Sequence, residues 1–415
     1  MKVRIISTSN NKGGAARAAA RLNHSLFNYG FNFESDMQVA NYRSDIKNVI
    51  KPRSKFISAW YMARGQLGNI IQKAQISDNK VLHSTSLLKS SLHKEINKCD
   101  ADLINLHWVQ GEFISIKSIS LITKPIVWTF HDLWPFLGSE HYPKDIHDRR
   151  YIEGYSRNNR SKNEKGFDLD LFTWKVKKHF LKKPMQIVCP SNWLASCVRR
   201  SALMNSWPVE VIPNPLPTSI YKPWPKKYCR ELFNLPLDKD LILFGAIGGT
   251  EDPRKGWQYL KVALKKISFK NNNLHAIVFG QNEPKEKPDI GIPITYVGEL
   301  QDDQSLAMLY SAANVMIVPS IMENLPQSAT EAQSCGVPVV AFNCTGLVDV
   351  VENRKTGYLA KPYDSDDLSF GIEWVLNRDN HKSLCLESRK RAERLWKEEI
   401  ITSHYEKIYK KVLRK

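Results

Sequence analysis

The chain has 415 residues, 42% hydrophobic and 25% charged, a globular composition that excludes a fibre or a disordered tail. It is long enough for two or three domains at about 150 residues each. The net charge of +18 is uneven: residues 1–215 carry 32 Lys and Arg against 17 Asp and Glu, leaving +3 for the remainder, so the first half is suited to meet something anionic.

Short β-branched runs alternate with helical patterns along the chain. The opening Lys2–Ser7 reads as a strand, and it is too polar and short for a secretory leader. A turn containing Gly13 and Gly14 follows, then an Ala-rich helix over Ala15–Tyr29. Asp102–His107, Pro125–Phe130 and Met185–Cys189 read as buried strands. Ser191 is placed to cap a helix over Trp193–Leu203, and Val209–Ile212 closes the series. Residues 149–170 are polar and poorly patterned, and a mobile or irregular insertion is expected there. The run Lys175–Lys183 is the densest basic stretch. It reads as a solvated helix face or as a contact with an anionic membrane or lipid diphosphate. Nucleic acid is disfavoured, because no nucleic-acid motif accompanies the charge.

Three prolines in the five residues Pro213–Pro217 mark a linker. Beyond it the pattern restarts. Strands are expected at Leu241–Ala246, His275–Phe279, Ile294–Val297, Val315–Val318 and Val337–Phe342, and helices from Trp257, over Gln304–Ala312 and over Ser328–Cys335. Strands separated by helices make parallel βαβ units, so the fold is α/β with two Rossmann-like domains. The expected division is 1–215, 216–388, and a basic C-terminal helix over 389–415 packing back toward the first domain. No apolar run is long enough for a transmembrane helix. The seven cysteines are scattered and lack C-x-x-C spacing, which suggests reduced cytoplasmic thiols and no zinc site.

Chemistry concentrates at four places. The first is Glu323-Asn324-Leu325-Pro326-Gln327, which follows a strand and opens a helix carrying Glu331. The amide end of a helix favours a phosphate, and carboxylates there can accept hydrogen bonds from sugar or ribose hydroxyls. The second is Gly248-Gly249-Thr250-Glu251-Asp252-Pro253-Arg254-Lys255-Gly256, where a Gly-rich turn beside two cations suits a diphosphate. The third is Phe130-His131-Asp132-Leu133-Trp134, at a strand's carboxyl end where ligands of parallel sheets bind. His107-Trp108 ends the preceding strand and is a weaker acceptor-side candidate, as is Asp132. The fourth is Gly13-Gly14, where backbone can approach a ligand closely. The dinucleotide fingerprint G-x-G-x-x-G is absent, which argues against a Rossmann dehydrogenase. Asp168-Leu169-Asp170 and Asp364-Ser365-Asp366 match the metal-binding D-x-D pattern but read as surface or capping acids.

The segment from Glu323 to Val340 resembles the signature of the retaining GT-B glycosyltransferases of family four, the glycosyl transferases group 1, whose pattern is E-x-x-P-x-x-x-x-E-A-x-x-x-G-x-P-V-V. The resemblance reaches from the N-terminal Gly turn to about Tyr363. It implies two Rossmann-like domains facing each other across a cleft, and a sugar transfer from a nucleotide-diphosphate donor without a metal or other cofactor. UDP is favoured by family frequency, with GDP the alternative base. By the same resemblance Glu323 contacts the donor sugar, and Glu331 holds the ribose. The amides of Asn324 to Gln327, with Leu325 and Pro326 between, face the sugar and phosphates. Lys255 neutralises the diphosphate, with Arg254 standing in for an Arg the family has near Gly249. His131 positions the sugar, and Gly13 and Gly14 approach the donor. Asn324 departs from the family's usual Gly. Thr345-Gly346-Leu347-Val348-Asp349 resembles the family's donor-side loop, with Asp349 for the usual Glu. The implied acceptor is a glycan or lipid-linked oligosaccharide of surface-polysaccharide synthesis, with the enzyme cytoplasmic and peripheral at an anionic membrane. A nucleotide-sugar epimerase of the same fold and a basic nucleic-acid-binding protein are the competing readings.

Overall fold

The computed structural model describes residues 1–10, 13–31, 33–42, 47–245 and 252–414. The chain forms two compact units, Met1–Pro215 with Glu398–Lys415, and Leu216–Lys397.

The first unit holds a seven-stranded, wholly parallel sheet. Its strands are β1 (Lys2–Ser9), β2 (Glu34–Asn41), β3 (Val49–Ile50), β4 (Leu103–Leu106), β5 (Ile126–Thr129), β6 (Gln186–Cys189) and β7 (Val209–Val211), in the order β3-β2-β1-β4-β5-β6-β7. β4, β5 and β6 are buried along their whole length, as parallel strands covered on both faces must be. The main helices are α1 (Gly14–Tyr29), α2 (Lys55–Gln72), α3 (Leu169–Phe180) and α4 (Asn192–Arg200). Ser191 caps α4 by accepting from the Leu194 amide at 3.1 Å, as its sequence position predicts.

The second unit holds a six-stranded parallel sheet. Its strands are β8 (Asp240–Gly245), β9 (Leu274–Phe279), β10 (Ile294–Tyr296), β11 (Val315–Val318), β12 (Val339–Phe342) and β13 (Gly357–Ala360), in the order β10-β9-β8-β11-β12-β13. Helices α5 (Trp257–Ser268), α6 (Gln327–Ser334) and α7 (Arg378–Leu395) belong to it. The strand order of each sheet reverses once, beside β1 in the first unit and beside β8 in the second. Ligands of open parallel sheets bind outside the carboxyl ends at such reversals.

Three expectations are corrected. The C-terminal stretch is not one helix over 389–415. α7 runs on to Leu395 in the second unit, because the Arg389 guanidinium donates to the carbonyls of Tyr221 at 2.7 Å and Ser334 at 2.8 Å, and Trp396 is buried behind it. Only α8 (Glu398–Leu413) joins the first unit. The segment 149–170 is largely irregular up to the start of α3, as expected, but it is tied down: Arg150 is buried over the Tyr155 ring, and Arg160 donates to the Gly166 carbonyl at 3.0 Å. In the Lys175–Lys183 run Lys175, Lys178, Lys182 and Lys183 are exposed as on a solvated face, and Lys177 departs from it. Lys177 has 0% exposure, and its ammonium donates to the carbonyls of Leu137 at 3.1 Å, Gly138 at 2.6 Å and Trp134.

α8 seals polar groups inside the first sheet. Asn105 interrupts the apolar run of β4, and its side chain donates to the Val127 carbonyl at 3.1 Å and to Thr129 Oγ1 at 3.0 Å. Tyr409 OH donates to Asn105 Oδ1 at 2.7 Å, and Tyr405 OH lies 3.1 Å from Thr129 Oγ1. Among the described residues no helix is long and apolar enough to cross a membrane. Removing the Tyr409 hydroxyl (Tyr409→Phe) leaves a buried acceptor underbonded and is expected to cost about 1–2 kcal/mol, read by urea unfolding.

Candidate functional site

In the second unit the site forms where β11 ends, next to β8. The short turn Pro253–Lys255 opens with Asp252, whose side chain accepts from the Arg254 amide at 3.0 Å. Gly256 then turns at φ +69°, so close to the Pro319 carbonyl that a Cβ would lie 1.8 Å from it. The Ile321 amide donates back to the Arg254 carbonyl at 2.9 Å. These contacts lay the cationic turn directly over the exit of β11.

The result is an ion cluster on Glu323. Lys255 Nζ donates to Glu323 Oε1 at 2.5 Å, Ser320 Oγ at 3.3 Å, and Arg254 Nη1 lies 3.4 Å away. Arg254 also donates to the Met322 carbonyl at 2.8 Å and pairs with Asp252 at 3.0 Å, so it braces the loop as well as facing the carboxylate. Burial opposes ionisation of Glu323, but the Lys255 and Arg254 charges outweigh it and hold the carboxyl below its usual value. The backbone of Glu323 is fixed from the other side. Its amide donates to Thr345 Oγ1 at 3.2 Å and its carbonyl accepts from the Gly346 amide at 2.9 Å. A Cβ on Gly346 would sit 1.4 Å from the Asn324 carbonyl, so only glycine permits this approach.

Asn324, Leu325 and Pro326 carry the chain into α6, which begins at Gln327, one residue before the predicted start. Pro326 has no N–H, so the amide donors of that stretch are those of Asn324, Leu325 and Gln327. Glu331 sits inside α6, buried, and its Oε2 accepts from Tyr310 OH at 2.9 Å. The predicted residues Gly248, Gly249, Thr250 and Glu251, with Ala246 at the end of the predicted strand, lie outside the described residues.

In the first unit the carboxyl ends of β4 and β5 bring His107 and His131 together, with His107 Nδ1 2.9 Å from His131 Nε2. His107 Nε2 lies 3.4 Å from Asn105 Oδ1, which can only accept. In the tautomer that donates Nε2–H to this oxygen, His107 Nδ1 accepts from His131 Nε2–H. Burial pushes both imidazoles down, His131 to about 4, so both are neutral near pH 7 and neither is a proton donor of ordinary acidity. Asp132 is used inside the unit. Its Oδ2 accepts from Trp108 Nε1 at 3.0 Å and His141 Nδ1 at 2.6 Å, and its Oδ1 from the Trp134 amide at 3.0 Å. Burial opposes its charge, yet His141 and these donors keep its carboxyl below the usual range. Trp108 and Asp132 thus hold the loop on which His131 stands. Gly13 has φ +89° at the start of α1 with nothing near its missing Cβ, so it serves a backbone angle rather than a crowded approach, and Gly14 is the first residue of the helix.

Sequence reasoning missed the supports. Asn105, Tyr310 and His141 carry no local pattern that marks them, and the motif holding Thr345 and the basic run holding Lys177 did not show what those two side chains bind. Of the D-x-D acids, Asp168 and Asp364 cap helices. Asp170 corrects the reading of a surface acid. It is buried, accepts from Gln75 Nε2 at 2.6 Å and from the Ser139 amide at 3.1 Å, and lies 3.7 Å from His83 Nδ1. Burial and the neighbouring Asp170 push Glu140 well above its usual value. Arg150 is a nearby cation, and burial pushes the Lys177 amine well below the usual lysine value despite Glu140, Asp132 and Asp170 around it.

Two family sequence models match the chain: "Glycosyl transferases group 1" over residues 233–394 and "Glycosyltransferase Family 4" over residues 70–220. The chain belongs to this family of GT-B fold. A capsular polysaccharide biosynthesis glycosyltransferase of Staphylococcus aureus is 27% identical over 169 residues, 39% of this chain and 44% of that protein. The chain spans less than half the length of the curated relatives it matches first. Sucrose-phosphate synthase from Thermosynechococcus elongatus shares the fold with a TM-score of 0.68 at 19% identity, over 100% of this chain and 99% of that one. The Anabaena protein HepE, solved in complex with UDP and glucose, does so at 0.64 and 16%, over 99% and 100%.

Two outcomes follow from the geometry. A carboxyl held low in the folded state contributes stability above its unfolded value, about 4.3, and loses it as pH falls through the folded value. Glu323→Gln is therefore expected to lower stability at pH 7, with the deficit shrinking below about pH 4, measured by urea unfolding across pH. Lys177→Met removes a buried amino group, which burial pushes well below the usual lysine value, and leaves three carbonyls without a donor. A loss of about 2–4 kcal/mol is expected in the same assay.

Proposed function

We propose that this protein is a retaining glycosyltransferase that moves a sugar from a UDP-linked donor to a hydroxyl of a lipid-linked glycan acceptor in surface-polysaccharide synthesis. The observation that carries the reading is the Lys255–Glu323 contact of 2.5 Å at the loop that opens α6. One charged pair there offers a cation to phosphate and a carboxylate to sugar hydroxyls, next to the amide end of a helix.

In this mechanism the second unit binds the donor. Lys255 and Arg254, with the amides of Asn324, Leu325 and Gln327, stabilise the negative charge that builds on the departing diphosphate. That positive charge does the work a divalent metal does elsewhere, so the transfer is proposed to be metal-independent. Glu323 accepts hydrogen bonds from the sugar, and Glu331 from the ribose. The acceptor hydroxyl attacks the face from which the diphosphate leaves, and a diphosphate oxygen takes its proton. No protein base is needed, which agrees with a neutral His131 that orients by hydrogen bonding. The nucleotide bound by HepE and the capsular name of the S. aureus relative support the choice of UDP and of a polysaccharide product. The excess of positive charge in residues 1–215 supports an anionic, lipid-diphosphate acceptor on the first unit.

Thermal shift with UDP, GDP and their sugars, with and without a chelator, tests the donor site. UDP at about 100 times its Kd is expected to add about 2.7 kcal/mol, a rise of a few degrees that the chelator leaves unchanged. Lys255→Ala is expected to weaken UDP about tenfold or more. No shift with any nucleotide, or full transfer by Glu323→Ala, would overturn the assignment. Conversion of donor alone into an isomer would make the protein an epimerase.

A further inference from the structure

Helix α2 (Lys55–Gln72) has two apolar faces, and the first unit uses one of them. Ile57, Tyr61, Arg64, Gly68 and Ile71 recur at helical spacing on the inward side. The Tyr61 ring meets the Phe113 ring edge-on with centroids 5.2 Å apart. Arg64 donates to the carbonyls of Glu112 at 2.9 Å, Lys89 at 2.7 Å and Leu88 at 2.9 Å. Gly68 lies so close to Glu112 that a Cβ would stand 2.7 Å from its Cγ. These contacts fix which side of the helix faces in.

About 100° around the helix runs a second stripe: Phe56, Trp60, Ala63, Leu67 and Ile70, at i, i+4, i+7, i+11 and i+14. It is bare. Phe56 is 84% exposed, Trp60 54%, Leu67 45% and Ile70 60%. Isolated apolar residues on a surface need no explanation, but an aromatic and aliphatic stripe four turns long does. Its surroundings say what it meets. From Lys47 to Ser77 the sequence has no Asp or Glu, while Lys47, Lys51, Arg53, Lys55 and Lys73 all lie exposed around the two ends of the helix. Apolar side chains headed by Phe and Trp, bordered by cations and free of acids, match a surface that is anionic outside and hydrocarbon beneath. Nucleic acid would satisfy the cations and leave the stripe in water.

We infer that α2 is a membrane-docking helix, lying along an anionic lipid surface with Phe56, Trp60, Leu67 and Ile70 inserted among the lipids and the lysines at its ends on the headgroups. This deepens the reading of a lipid-linked acceptor, since it places the first unit where such an acceptor resides. It places the contact on α2 and its apolar stripe; the Lys175–Lys183 run, where Lys177 is turned inward and Lys175, Lys178, Lys182 and Lys183 stay exposed, is the alternative the test separates.

Vesicle co-sedimentation of the full chain, with no nucleotide or acceptor present, tests it. Failure here leaves the donor assignment standing, and failure of the nucleotide shift leaves this one standing. Vesicles of phosphatidylcholine with about one-third phosphatidylglycerol are expected to bind the protein at low salt. Phosphatidylcholine alone should bind it weakly, and raised salt should release it. F56S/W60S and K51E/K55E, all at exposed positions, are each expected to weaken binding about tenfold or more. K175E/K182E should leave it unchanged, and the melting temperatures of all three variants should match the parent. The proposal is overturned if the anionic vesicles do not bind, if F56S/W60S binds them as well as the parent does, or if K175E/K182E alone abolishes binding. A parent dimer that F56S/W60S converts to monomer, with vesicle binding unchanged, would assign the stripe to self-association and would also overturn it.

Discussion

Glu323 is a buried carboxylate at the carboxyl end of a parallel strand, and the loops around it are arranged to keep it charged. A charge out of water costs several kcal/mol unless partners are held in place beforehand. Here the turn over residues 252–256 supplies Lys255 and Arg254, and the loop at Thr345 and Gly346 pins the main chain. Two glycines make this closeness sterically possible, Gly256 against Pro319 and Gly346 against Asn324. Three loops separated by dozens of residues thus converge on one carboxyl group, and α6 starts from that fixed point.

The first unit handles its own strand ends differently. At the ends of β4 and β5 it keeps two neutral imidazoles and one satisfied carboxylate. His107 and His131 share a single hydrogen bond, and Asp132 is consumed by Trp108, His141 and the Trp134 amide. Beneath that loop Lys177 threads its ammonium into three carbonyls. The loop carrying His131 is therefore rigid by hydrogen bonding, while the ring itself stays uncharged. The strand-end site of the second unit is thus charged, and that of the first is neutral at its imidazoles.

The α/β class, most of the strands and the break at Pro213–Pro217 were legible in the sequence, because buried parallel strands are short apolar runs and prolines interrupt regular structure. Glu323, Lys255 and the opening of α6 were legible as a motif. β2, α2 and the split between α7 and α8 were not. β2 alternates polar and apolar residues without a strong boundary, α2 has apolar residues all round, and the basic, helix-prone stretch after Arg389 shows no break at Trp396. That break depends on what Arg389 and Trp396 bury against.

The sequence by itself determined the kind of fold and the residue types at the strand ends, since periodicity and short motifs are local properties. Tertiary structure alone decided what those residues do to one another. It made His131 neutral by burying it against His107, turned Lys177 inward, and gave Asn105 its partner in Tyr409, 304 residues away. It also showed which stripe of α2 faces water. Burial and long-range hydrogen bonding set charge state and exposure, and neither is written in the neighbouring residues.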